Sequence, residues 1–113
     1  MKITMAEEMS QSIEEYFILD VRDSEEYELQ KIEGSLNIPA RMILVTEYPG
    51  SNGLYLKKIP KDKTVLVYCS SGKRATLVEK VLKKNGFEVL NILKYEHAED
   101  FVNSLRKIVS NEK

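Results

Sequence analysis

Short apolar segments recur along the chain, and each is followed by a segment with a different periodicity. Residues 17–19 form an apolar run that leads into Asp20 and Val21, which predicts a strand. Residues 64–68 are β-branched and apolar on both faces, which is typical of a central strand in a parallel sheet. Residues 88–93 predict a further strand, and residues 35–39 predict a short extended segment that stops at a proline.

Helical patterns lie between these strands. The clearest follows the loop over residues 69–73 and begins at Arg74, and its apolar residues recur with the spacing of an amphipathic helix: Ala75, Leu77, Val78, Val81 and Leu82. Asn85 and Gly86 should end it, with Gly86 in the left-handed conformation. Asp23, as an N-cap with Glu26 as its capping-box partner, predicts a short helix over residues 24–31. Residues 40–48 and 97–109 also have helical patterns. Strands that alternate with helices predict one α/β domain over residues 1–113, with a mainly parallel sheet.

Composition and charge narrow the classes of function. The apolar fraction of 42% is that of a globular protein, and a net charge of −1 gives no reason to expect nucleic acid or a membrane as partner. No apolar run approaches the roughly 20 residues of a transmembrane helix, and residues 1–8 lack the apolar core of a signal peptide. One cysteine cannot form an internal disulfide, and one cysteine with one histidine is too few for a zinc site. We therefore expect a cytoplasmic protein without a metal.

The candidate chemistry lies where the central strand should end. Ligands of parallel sheets bind beyond the carboxyl ends of the strands, and here the sequence is Cys69-Ser70-Ser71-Gly72-Lys73-Arg74. Small residues and a glycine let successive N–H groups converge on one point, and the following helix adds the positive end of its dipole. Lys73 and Arg74 add two positive charges to the positive end of the helix dipole. The segment therefore predicts a nucleophilic cysteine in an anion pocket. The alternative is that Cys69 is a small residue of the hydrophobic core, but a core cysteine has no need of two adjacent cations.

Two segments of the chain resemble the rhodanese family. The first comprises Leu-Asp-Val-Arg at residues 19–22, Glu-Tyr at residues 26–27 and Ile-Glu-Gly-Ser-Leu-Asn-Ile-Pro at residues 32–39; the second is Val-Tyr-Cys-Ser-Ser-Gly-Lys-Arg-Ala at residues 67–75. The resemblance implies a three-layer α/β fold with helices on both faces of the sheet. It also implies that Cys69 is catalytic and carries a sulfane sulfur as a persulfide. A small anionic donor such as thiosulfate would supply the sulfur, and a thiol or a protein would accept it. Ser70, Ser71, Gly72, Lys73 and Arg74 would form the substrate-binding loop, without a metal or organic cofactor.

The sequence departs from the family pattern in three places. Gln30-Lys31 replaces Gly-His, Lys94-Tyr95 replaces Gly-Gly, and the tryptophan of the final helix is absent. We expect Lys94-Tyr95 to form a turn at the rim of the pocket and to affect the choice of acceptor.

Two other functions remain open. One is a sulfur carrier or protein-binding module without turnover. The other, more distant, is a phosphatase or arsenate reductase. The span from Cys69 to Arg74 is six residues, which is one residue shorter than the loop of related phosphatases and argues against that activity.

Several polar and aromatic residues outside the loop are given structural roles. We expect Asp20 and Arg22 to form an ion pair that braces a turn, with Arg22 also able to reach Glu26 one helical turn away. His97 and Arg41 are expected at the surface, as are three tyrosines: Tyr48, Tyr55 and Tyr95.

Overall fold

The computed structural model describes residues 12–51 and 53–111, with side chains described to residue 107. Its strands are β1 (Tyr16–Asp20), β2 (Leu36–Asn37), β3 (Thr64–Cys69) and β4 (Val89–Lys94). Its α-helices are α1 (Ser24–Leu29), α2 (Ala40–Leu44), α3 (Lys73–Lys84) and α4 (Tyr95–Asn111). Short 3-10 turns lie at Ile13–Glu15, Val45–Glu47 and Leu56–Lys58. None of the described helices is both long enough and apolar enough to cross a membrane.

The four strands form one parallel sheet in the order β2-β1-β3-β4. Side chains of β3 alternate between two buried clusters, because successive residues of a strand point to opposite faces. Val65, Val67 and Cys69 pack on the side of α3, while Leu66 and Tyr68 pack on the side of α4. The sheet is thus covered on both faces, and the predicted three-layer α/β fold is confirmed.

Both ends of α3 are set by glycines with positive φ. Gly72, at φ 94°, is the N-cap. The helix therefore begins at Lys73, one residue before the start at Arg74 that the sequence predicted. At the other end, Gly86 has φ 88°. Its N–H donates to the carbonyl of Lys83, and the N–H of Phe87 donates to the carbonyl of Leu82, each at 3.1 Å. This is a Schellman motif, and it confirms the predicted left-handed Gly86.

The predicted turn at Lys94-Tyr95 does not form. Lys94 is the last residue of β4 and Tyr95 is the first residue of α4, so this helix begins two residues before the predicted start at His97. The surface position expected for Tyr95 is wrong as well, since its side chain is 5% exposed and packs against Tyr68 with ring centroids 5.8 Å apart. At the position where the family pattern has two glycines, this chain has Lys94 and Tyr95. The buried Tyr95 ring anchors this segment under the sheet.

The shorter helix α1 has the predicted cap but ends early. The N–H of Asp23 donates to Oε1 of Glu26 at 3.1 Å, as the capping box requires. The helix ends at Leu29, whereas the pattern predicted residue 31. For the last predicted helix, the apolar position at residue 108 lies outside the described side chains.

Candidate active site

Cys69 is the last residue of the interior strand β3, and it is fully buried. Its Sγ accepts a hydrogen bond from the N–H of Gly72, with nitrogen and sulfur 2.9 Å apart, and a second from the N–H of Ala75 at 3.4 Å. One donor is the N-cap of α3 and the other lies in its first turn. The convergence of backbone donors predicted from the sequence is therefore present, and the atom on which they converge is the sulfur. Backbone N–H groups directed at one atom stabilise negative charge that develops there.

Gly72 is required by conformation and by space. Its φ of 94° lies in the region that side-chain-bearing residues rarely adopt. A Cβ atom at this position would lie 3.2 Å from Cβ of Leu93 and 3.3 Å from its Cδ2. The absence of a side chain is what lets the loop turn its N–H toward Cys69 beneath Leu93.

Arg74 joins the loop to the start of α1. Its Nη2 donates to Oγ of Ser70 at 2.8 Å, and its Nη1 donates to Oε1 of Glu26 at 3.2 Å and lies 3.7 Å from Oδ1 of Asp23. Burial opposes the charged form of Arg74, but the hydrogen bond and charge of Glu26 outweigh it and raise the arginine pKa. Partial burial likewise opposes ionisation of Glu26, yet the Asp23 N–H and Arg74 lower its pKa overall.

Lys73 and the two serines form the exposed part of the loop. Ser70, Ser71 and Lys73 are all exposed, and Lys73 makes no ion pair with any residue that the structure describes. A shallow cavity of about 450 Å³ opens beside them. Its lining consists of Ser71, Gly72, Lys73, Thr76, Leu77 and Leu93. The five predicted loop residues therefore connect Cys69 to α3, with Arg74 held by Ser70 and Glu26 and with Lys73 making no ion pair in the part of the chain that the structure describes.

The Asp20–Arg22 pair belongs to the opposite face of the sheet. Both side chains are buried, with Nη2 of Arg22 2.7 Å from Oδ2 of Asp20, so the predicted ion pair is confirmed. The guanidinium lies 4.6 Å from the Tyr95 ring centroid, directed away from Cys69. Burial opposes its charge, but Asp20 outweighs burial and raises the pKa of Arg22. The expected pairing of Arg22 with Glu26 is not found; Glu26 binds Arg74 instead.

Tyr68 lies beside this pair with its hydroxyl unpartnered. Among the described side chains it is the buried polar group that lacks a hydrogen bond. Burial, reinforced by the nearby charge of Asp20, raises the pKa of Tyr68 far above its ordinary value. The tyrosine therefore stays neutral, and it does not reach the sulfur because alternate residues of β3 face opposite sides.

The remaining candidates lie at the surface. His97 is exposed on α4, and Arg41 is exposed with its Nη1 3.3 Å from Oδ1 of Asp23. Tyr48 is exposed and Tyr55 is half-buried. In the described part of the chain, no three of the residue types His, Cys, Asp and Glu cluster in a way that could hold a metal ion.

Sequence patterns missed three residues that support the loop: Thr76, Asn91 and Leu93. Thr76 donates through Oγ1 to the carbonyl of Gly72 at 2.9 Å, and Asn91 contacts Thr76 at 3.3 Å. An asparagine within an apolar strand was the one available signal, because amide side chains are rare in strands and usually have a hydrogen-bonding reason to be there.

Comparison with known proteins gives consistent matches. The family model described as Rhodanese-like domain matches residues 5–95. A probable adenylyltransferase/sulfurtransferase, MoeZ of Mycobacterium tuberculosis, is 34% identical over 70 residues, which are 62% of this chain and 16% of that protein. The thiosulfate sulfurtransferase PspE of Escherichia coli is 28% identical over 72 residues, covering 61% of this chain and 60% of that protein.

A solved structure agrees with these matches. The rhodanese-like domain protein of Staphylococcus aureus superposes with a TM-score of 0.60 at 26% identity, covering 74% of each chain. The present chain spans less than two thirds of the length of both curated relatives.

Proposed function

This chain belongs to the rhodanese-like domain family, and we propose that it is a sulfurtransferase that carries sulfur as a persulfide on Cys69. The observation that carries the proposal is the pair of backbone N–H groups, from Gly72 and Ala75, directed at Sγ of a cysteine at the end of an interior parallel strand. These donors are fixed in place before any substrate arrives, so they stabilise negative charge on sulfur without rearrangement.

In the first half-reaction the Cys69 thiolate attacks the outer sulfur of a donor such as thiosulfate. A sulfur–sulfur bond forms to Sγ, the sulfur–sulfur bond of thiosulfate breaks, and sulfite leaves with the electron pair of that bond. In the second half-reaction an acceptor thiolate attacks the outer sulfur of the persulfide. The acceptor leaves as a persulfide and Cys69 returns as a thiolate, so no cofactor, oxidant or reductant is consumed.

The loop residues have separate roles in this proposal. Lys73 is exposed and unpaired among the described residues, so its charge attracts the anionic donor. Arg74 is held by Ser70 and Glu26, so it braces the loop. The donor approaches from the exposed side of the loop, where Ser70 and Ser71 lie. A single thiol used as a persulfide suits a reducing compartment, and we place the reaction in the cytoplasm.

The test is incubation with thiosulfate followed by intact-mass measurement. We expect a gain of about 32 Da, the mass of one sulfur atom, that is absent in Cys69→Ser. Excess dithiothreitol should then restore the original mass and release hydrogen sulfide over many cycles. Loading without repeated turnover would identify a carrier instead. A protein that takes up no sulfur but hydrolyses p-nitrophenyl phosphate would contradict the proposal.

A further inference from the structure

The strand beside the loop, β4, contains a strained residue one position before its end. Among the described residues, Leu93 is the non-glycine residue with positive φ, at 72°. The register of β4 against β3 shifts at the same place, so that Val67 pairs with Asn91 and Tyr68 pairs with Leu93. Conformations of this kind persist only where neighbouring groups hold them, and they cluster at functional sites.

The side chain of Asn91 holds this conformation. Its Oδ1 accepts a hydrogen bond from the Leu93 N–H at 2.9 Å, which is the local bonding that asparagine favours at turns. Its Nδ2 donates to Oε1 of Glu79 at 3.0 Å and to Oγ1 of Thr76 at 3.3 Å. One amide therefore ties the end of β4 to two residues of α3.

Two of the Asn91 contacts lead to Gly72, one through Thr76 and the other through Leu93. Thr76 donates to the Gly72 carbonyl twice, through its N–H at 3.0 Å and its hydroxyl at 2.9 Å. Leu93 lies against Gly72 from the other side, filling the space that a glycine Cβ would occupy. Gly72 in turn places its N–H 2.9 Å from Sγ of Cys69. The network is continuous from Asn91 to the sulfur.

We infer that Asn91 and Leu93 are positioning residues, which fix the Gly72 N–H on the Cys69 sulfur from two sides. Leu93 accepts an unfavourable backbone conformation because only that conformation brings its side chain over Gly72. The inference rests on the proposed function in treating Cys69 as the reacting thiol.

Three variants test this role, with one control. Leu93→Gly suits the positive φ and removes the side chain over Gly72. Asn91→Ala removes both halves of the amide, whereas Asn91→Asp keeps the acceptor for the Leu93 N–H and loses the donors to α3. The control is Asn85→Ala, which removes a comparable hydrogen bond, from Nδ2 to the Val81 carbonyl at 2.8 Å, at the far end of α3.

The measurements are the rate of sulfur loading from thiosulfate, the pH profile of Cys69 alkylation by iodoacetamide, and the melting temperature. Leu93→Gly should keep or raise the melting temperature, because it relieves strain. It should nevertheless slow loading about five-fold or more and move the alkylation midpoint to higher pH, because the sulfur loses a fixed hydrogen-bond donor. Asn91→Ala should slow loading and shift the alkylation midpoint in the same direction, and Asn91→Asp should do so at least as strongly, because its carboxylate would lie against that of Glu79. Asn85→Ala should leave both quantities unchanged.

The inference would be overturned if the loading rates of the variants simply followed their melting temperatures. A Leu93→Gly variant with wild-type loading and a wild-type alkylation midpoint would also overturn it. The alkylation profile needs no sulfur donor, so it separates the two proposals. If the wild-type protein takes up no sulfur but the variants still shift the alkylation midpoint, the proposed function fails and the positioning role stands.

Discussion

Replacement of Gly72 by alanine tests how closely the loop geometry depends on a missing side chain. Any residue other than glycine at φ 94° costs about 1–2 kcal/mol in backbone conformation. The new Cβ would also lie 3.2 and 3.3 Å from Cβ and Cδ2 of Leu93, and overpacking of this kind costs about 1–3 kcal/mol. Alanine returns about 0.4–1 kcal/mol by restricting the unfolded chain. We therefore expect Gly72→Ala to lower the free energy of unfolding by about 2–3 kcal/mol.

Gly86→Ala is the matched control. Gly86 has nearly the same φ, 88°, at the other end of α3, and the atom nearest its added Cβ is Nζ of Lys61 at 3.2 Å, the mobile end of a flexible side chain. The backbone penalty is therefore similar, while the packing penalty is small. We expect a loss of about 1 kcal/mol and an unchanged rate of sulfur loading per folded molecule.

The assay combines urea unfolding with the rate of sulfur loading from thiosulfate. Gly72→Ala should be less stable than Gly86→Ala by about 1–2 kcal/mol, and it alone should load slowly, because its N–H is displaced from Sγ. Adding Leu93→Gly should recover part of the lost stability, since the obstructing atoms belong to Leu93. Equal stability of the two alanine variants, or wild-type loading by Gly72→Ala, would refute the reasoning.

The charged residues give three further predictions. Lys73→Ala should raise the KM for thiosulfate with turnover largely intact, and the effect should shrink as salt is added because an exposed charge is screened. Arg74→Ala should lower turnover and reduce the unfolding free energy by about 1–2 kcal/mol, measured in urea, because it removes the hydrogen bond to Ser70 and two partly exposed ion pairs, with Glu26 and Asp23. Glu26 has a lowered pKa in the folded protein, so its stabilising effect is present above the unfolded value of about 4.3 and is lost as the pH falls through the lower folded value. The stability difference between wild type and Glu26→Gln should therefore stay constant at neutral pH and shrink as the pH falls below about 4.3.

Each of these predictions has a contrary outcome. A Lys73 variant that loses turnover at unchanged KM would show that this residue acts on the reacting atoms. If the Arg74→Ala variant is as stable and as active as wild type, Arg74 does not brace the loop. If the difference in unfolding free energy between wild type and Glu26→Gln stays constant at acidic pH, the charge of Glu26 does not contribute to stability.

Local sequence patterns were enough to predict the succession of strands and helices along the chain, the parallel sheet and the position of Cys69 at a strand end. These follow from local patterns: apolar runs, helical spacing, a capping box and a glycine after Asn85. The motif around Cys69 also predicted converging N–H groups, because a short loop between a strand and a helix has few other conformations. Such features depend on residues close together in the chain, and a sequence read in order contains them.

The contacts between side chains that are distant in the sequence could not be predicted and depend on how the elements pack. Glu26 lies 48 residues from Arg74, yet it pairs with Arg74 because Arg22 turns under the sheet to Asp20. Tyr95 was expected at the surface, but α4 packs it beneath β3. The support of Gly72 by Asn91 and Leu93 depends on the register shift of β4. A strand position that shifts by one residue reverses the face of each side chain beyond it, so this contact is fixed by packing between elements and not by any local pattern.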